Sequence, residues 1–122
     1  MRLYRALQSI ILGPPVMATV RLSSWTVLSE IAHLYQIQHA AEGMGFTGWI
    51  MVSLKGRLEA EFEGPKDDLE PFISSIATGQ LTGREIPLER SWGMFQNRYP
   101  SLRLRQPDMV VHDREYRSRS GY

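Results

Sequence analysis

"GWIMVSLKGRLEAEFEGP", residues 48 to 65, holds two runs of alternating polarity around a tight turn and ends on a helix start. Ile50, Val52 and Leu54 share one face of the first run, and beyond the turn at Lys55 and Gly56 that face continues as Leu58, Ala60 and Phe62. Period-two alternation marks half-buried strands, and a short Gly-bearing turn between two of them closes a hairpin. The opposite face presents Trp49 and Met51 on one strand and Glu59, Glu61 and Glu63 on the other, which suits an exposed sheet surface with an apolar spot.

Upstream, "VMATVRLSSW" alternates in the same way, with Ala18, Val20 and Leu22 on one face and Thr19, Arg21 and Ser23 on the other. Thr26 then caps a helix predicted over 27–43, with Leu28, Ile31, Leu34, Tyr35 and Ala41 as its apolar stripe and Gly43 and Gly45 as its stop. Downstream, "GPKDDLEPFISSIATG" predicts a second helix with acids at its N-terminus. Pro71 falls in the first turn if that helix begins near Asp68, and Leu69, Phe72, Ile73 and Ile76 form its buried stripe. A strand near 84–91, with Ile86 and Leu88 inward, and a short one near 99–105, with Leu102 and Leu104 inward, complete the chain. The order β-α-β-β-α-β plus a short fifth strand defines an α+β, ferredoxin-like split βαβ sandwich. Two helices cover one face of an antiparallel sheet, and right-handed crossovers place the first and third strands at its centre.

At 122 residues with 43% hydrophobic content the chain closes one small core, expected over 16–105, between an N-terminal extension 1–15 and a C-terminal extension 106–122. There is no run of 18 apolar residues, and no cysteine, which removes disulfides, thiolate nucleophiles and sulfur-based zinc sites. The net charge of +1 is unevenly spread: Arg2, Arg5 and Arg21 precede the first acid, Glu30. "MRLYRALQSIIL" has the basic, acid-free pattern of a mitochondrial presequence, and cytoplasmic and mitochondrial placements both stay open.

Gly45, Gly48, Trp49, Gly56, Glu63, Gly64 and Pro65 stand at a spacing that resembles the acylphosphatases, and the similarity runs over roughly residues 17 to 105, including the closing "YPSLRLR". The resemblance implies an acyl phosphate cradled in a glycine-rich loop between strand one and helix one. It also implies an arginine clamp at the start of that helix and an asparagine late in strand two that orients water. Such a cradle works because glycine lets backbone N–H groups curl around a dianion and a guanidinium grips phosphate with two hydrogen bonds. Aligned on Trp49, the loop falls on "TVLSEIAH", the arginine position on Leu34 and the asparagine position on Val52. Glu30 inside the loop would repel a phosphate. Arg21, Arg57 and Asn97 lie elsewhere and replace neither group.

"GFTG", "GRLEAEFEGP" and "SWGMF" are also similar to the flavin-binding blue-light sensors of BLUF type. That resemblance implies a tyrosine in strand one, an asparagine in helix one and a glutamine in strand three, and this chain has none of the three. His33 and His39, six apart on a helix, read as surface residues on different faces with no ligand set around them, and no metal or cofactor is expected. Asp67, Asp68 and Glu70 suit a helix N-terminus rather than a metal.

Retained scaffold beside absent chemistry points to a non-catalytic acylphosphatase-like domain acting as a protein-interaction or structural subunit of a larger assembly. A hydrolase with a degenerate site and a BLUF-type sensor are the alternatives. The candidate interaction surface is Trp49, Met51, Glu59 and Glu61, to be covered by a protein partner or by the chain's own extensions. Acids on strand three disfavour RNA on the sheet, which leaves phosphate contact to the arginines of the C-terminal extension.

Overall fold

The computed structural model describes residues 14–106. The presequence-like segment 1–13 and the tail 107–122 lie outside the described residues. The elements are β1 Met17–Val27, α1 Ile31–Gly43, β2 Thr47–Val52, β3 Arg57–Pro65, α2 Lys66–Ala77, β4 Leu88–Met94 and β5 Leu102–Leu104. They build the expected split βαβ sandwich, with sheet order β4-β1-β3-β2-β5 and β1 and β3 inside. β5 runs parallel to β2, so the sheet is mixed rather than antiparallel throughout. The cause is the connection 95–101, which carries the chain from the β4 edge to the β2 edge and returns it in the direction of β2.

The hairpin reads as its alternation demands. Ile50 pairs with Ala60 and Val52 with Leu58, and Leu58, Ala60 and Phe62 face the helices fully buried. Leu54 departs from that pattern and lies in the turn, largely exposed. The turn closes there because Gly56, at φ +82°, donates its N–H to Ser53 O and Ser53 N–H donates to Arg57 O. On α2 the stripe Leu69, Phe72, Ile73 and Ile76 is buried as expected. Phe72 meets Phe46 and Phe62 edge-on, with centroids 5.2 and 5.8 Å apart, the arrangement that aromatic quadrupoles favour. The helix starts at Lys66, so Pro71 sits in its second turn, on the exposed side, where its missing N–H removes one ladder bond without a buried clash.

The start of α1 differs more. β1 continues to Val27, Thr26 belongs to it, and the helix begins at Ile31 behind Glu30, whose side chain makes no capping bond. A bulge between Ser23 and Val27 prolongs the strand. The buried Ser24 holds it: its hydroxyl donates to Thr26 O at 2.7 Å and accepts from Leu58 N–H at 2.9 Å. The later start turns the helix, so that His33, Leu34, Ile37 and Ala41 are buried while Ile31 and Tyr35 face out. Ile86 is buried just before β4, and Leu102 is buried while Leu104 is exposed at the sheet edge.

Gly48 is the tightest backbone position. Its φ is +132°, and a Cβ there would lie 1.9 Å from the Glu61 carbonyl oxygen in the neighbouring strand. Gly48→Ala therefore destabilises by about 3 kcal/mol or more, because backbone cannot yield as a side chain does. Gly43→Ala, with nothing within 4 Å of the new carbon, is neutral or stabilising by up to about 1 kcal/mol. Urea denaturation of both variants separates the two outcomes.

Candidate functional site

Two regions hold the residues singled out by sequence, and they lie on different parts of the molecule. The first is the end of the sandwich where β1 passes into α1. The segment is pinned by backbone bonds: Trp25 N–H to Pro87 O at 3.0 Å, Leu28 N–H to Gly56 O at 2.8 Å and His33 N–H to Glu30 O at 3.1 Å. No glycine lies between Ser24 and Leu34. Leu34 is in the first turn of α1 and 4% exposed, with its side chain in the core, and Val52 is half-buried against the same core. Beside the segment is a cavity of about 320 Å³ lined by Thr26, Ser29, His33, Arg84 and Glu85, among others. His33 is not a surface residue as read from spacing. It is buried, and its Nδ1 makes no hydrogen bond, whereas His39 is exposed. Among the described residues no group of three His, Cys, Asp or Glu side chains converges as metal ligands.

The second region is the open face of the sheet. Register places Arg21, Glu61 and Trp49 side by side across β1, β3 and β2, with Ser23, Glu59 and Met51 in the next row and Thr19, Glu63 and Thr47 on the other side. Met51 and Glu59 are half-buried, but Trp49 and Glu61 are only 5% and 6% exposed. What covers them is the 95–101 connection. Tyr99 donates its hydroxyl to Glu61 Oε2 at 2.6 Å, Arg98 pairs with the same oxygen, and Arg21 reaches Glu61 Oε1 at 3.5 Å. The guanidiniums of Arg21 and Arg105 stand 4.8 and 4.7 Å from the Trp49 ring centroid, within cation–π range. The ring is thus not open for a nucleic-acid base to stack on.

Glu63 is buried more deeply still. The Thr19 hydroxyl lies 2.9 Å from its Oε2 and 3.0 Å from Met94 O, and the backbone N–H groups of Gln96 and Arg98 donate to its two oxygens at 3.2 and 3.0 Å. Burial alone would raise its pKa. The donors from Thr19, Gln96, Arg98 and Tyr99 together outweigh that and hold it below the usual 4.5. Tyr99 shifts the other way, pushed up by burial and by the Glu61 carboxylate, against opposing effects of Trp49 and Arg98. Arg98 and Tyr99 were not legible as partners of Glu61, nor Arg105 as a neighbour of Trp49, because local pattern does not show where the chain crosses the sheet. Asn97, at φ +54°, makes the bend that aims the N–H groups on either side of it, those of Gln96 and Arg98, at one carboxylate.

The architecture is that of a split βαβ sandwich with its open face partly closed by its own last connection. Within that class, the family model described as acylphosphatase matches residues 30–89. Solved structures agree on the fold. The acylphosphatase from Bacillus subtilis is 15% identical, with a TM-score of 0.63 over 73% of this chain and 99% of that one. Full-length HypF, solved in a phosphate- and nucleotide-bound form, is 16% identical with a TM-score of 0.64, over 76% of this chain and 12% of its own. BlrB, a BLUF protein in its dark state, is 16% identical with a TM-score of 0.57, over 86% and 85%. No curated protein matches the chain by sequence. Among the described residues no helix is long and apolar enough to cross a membrane.

Glu63→Gln replaces an acceptor-only carboxylate with a group that also donates toward N–H groups, and lowers stability at pH 7 by about 1–3 kcal/mol. Because the folded pKa of Glu63 is depressed, its contribution is complete above the unfolded value and drains away as pH falls through the folded one. The gap in unfolding free energy between wild type and Glu63→Gln is therefore constant down to about pH 5 and narrows below about pH 4.3. Denaturation curves at a series of pH values measure it.

Proposed function

We propose that this is a non-catalytic acylphosphatase-like domain that serves as a protein-interaction or structural subunit of a larger assembly. The observation that carries the reading is Leu34. At the position where the resemblance expects a guanidinium, the chain buries an aliphatic side chain in the core between helix and sheet. The surrounding segment supports it: its N–H groups at Trp25, Leu28 and His33 are spent on protein carbonyls, and Glu30 adds a negative charge where a dianion would sit. Losing both the clamp and the water-orienting amide removes positioning and charge stabilisation together, each worth about a hundredfold or more in rate.

An interaction role is favoured by what the same end of the molecule exposes. Trp25, Val27 and Leu54 are each more than half exposed. Val27 packs on the hairpin turn at Gly56, and Leu54 stands in that turn, so two of the three are neighbours. Apolar side chains gathered at one end are better suited to meeting another protein than to holding a phosphate.

The purified full chain is expected to hydrolyse acetyl phosphate no faster than buffer. Saturable hydrolysis above background would refute the reading. Leu34→Arg with Val52→Asn, which installs both side chains that the resemblance calls for, is expected to leave hydrolysis at background. It also lowers stability by about 3 kcal/mol or more, since the new charge must enter an apolar core. Hydrolysis appearing in that variant would show a degraded site rather than a remodelled one.

A further inference from the structure

The two edges of the sheet are built differently. β5 is three residues long and presents Arg103, a charge on a stub, which is how natural edges resist pairing. β4 is seven residues long, contains no proline or bulge, and pairs with β1 through every residue from Leu88 to Met94. Its other side has no partner among the described residues. Along it Glu89, Arg90, Ser91, Gly93 and Met94 are exposed, an unusual share for a strand in a folded sheet. α2 lies mainly on β1 and β3 and α1 on β2 and β5, and α2 reaches β4 with Lys66, at its start, over Trp92.

We propose that β4 pairs with β4 of a second copy, antiparallel, to give one continuous ten-stranded sheet. A two-fold axis perpendicular to the sheet keeps each copy's helices on the same side. Opposed residues must then share a face, so their numbers must sum to an even value. The register that pairs the full strand sums to 182: Ser91 meets Ser91, Arg90 meets Trp92, Glu89 meets Gly93 and Leu88 meets Met94, each of the last three twice. This register is self-complementary. It sets a guanidinium against an indole and two apolar side chains against each other, and it opposes no like charges. Sliding by one pair toward lower numbers puts Arg90 directly on Arg90. Sliding toward higher numbers puts Met94 on Arg90. Trp92 is half-buried with the Lys66 ammonium 5.1 Å from its ring, and Arg90 of the second copy extends that arrangement across the axis. Met94, 84% exposed, acquires an apolar partner in Leu88. The inference stands independently of whether the loop end of the domain is catalytic.

The chain has no cysteine, which makes the test clean. The full-length protein is expected to sediment at micromolar concentration with twice the 14.0 kDa mass of one chain. Opposed residues in an antiparallel pair have Cα atoms about 4.5–5.5 Å apart, within the span of a disulfide. Ser91→Cys should therefore link into a covalent dimer under mild oxidation. Glu89→Cys, which lies about 13 Å from its counterpart in this register, should link at least about tenfold more slowly. Ser91→Lys is exposed and harmless to the monomer, and should abolish the dimer. Mixing Ser91→Lys with Ser91→Glu should restore it, a rescue that no loss of folding can imitate. A wild-type monomer at tens of micromolar would overturn the proposal, including the case in which another segment of the chain or a different protein occupies the edge. So would a dimer that Ser91→Lys leaves intact, or cross-linking as fast from residue 89 as from 91.

Discussion

Glu63 is a carboxylate on the central strand of the sheet, with 1% of its surface exposed, and the open side of the molecule is arranged to keep it charged. An isolated buried carboxylate would take up a proton or pull the strand toward water. Here Thr19 on the neighbouring strand and two backbone N–H groups of the 95–101 connection supply the donors instead. The requirement runs in both directions. The connection can cross beneath the sheet only because its N–H groups find an acceptor there, and in crossing it delivers the chain to the β2 edge, where β5 forms. Glu61, one pair along on the same face, repeats the arrangement with side chains, receiving Tyr99, Arg98 and Arg21. β3 is thus apolar on the helix side and anionic on the other, and each face fixes a different part of the chain.

The other end of the sandwich follows an opposite logic. A loop that binds an anion must leave several N–H groups unpaired and pointing one way, which is why such loops use glycine. In this chain the bulge at Ser24 keeps β1 paired, Trp25 and Leu28 give their N–H groups to neighbouring carbonyls, and the side chain of Glu30, just before α1, does not cap it. What remains is a rim with exposed apolar side chains and a cavity whose buried histidine lacks a hydrogen-bond partner at Nδ1. The N–H groups of Trp25, Leu28 and His33 along this stretch are satisfied within the chain.

Much of the fold was legible because it rests on periodicity. The alternation of residues 16–25 and 48–63 and the stripe Leu69, Phe72, Ile73 and Ile76 all describe burial that follows directly from repeat spacing. Leu54 was misread because a strand pattern does not announce where the turn begins, and the helix stripe on α1 was misphased because the bulge at Ser24 has no periodic signature. His33 looked superficial for the same reason: a small rotation of α1 decides whether it or Tyr35 faces the core. Of the candidate surface, Met51 and Glu59 are half-buried, Trp49 lies under the guanidiniums of Arg21 and Arg105, and Glu61 under Tyr99 and Arg98. That cover is a contact between residues nearly forty positions apart, made by an aperiodic segment, and local pattern carries no information about it.

The open face also explains why the two edges came out unequal. The 95–101 connection leaves the end of β4, dives under the sheet to satisfy Glu63 and Glu61, and reaches the far edge, where the three residues of β5 pair with β2. The 95–101 connection, committed to the open face, does not cover β4. The buried carboxylates therefore determine more than their own solvation. They draw the 95–101 connection away from β4, whose outer side has no partner among the described residues.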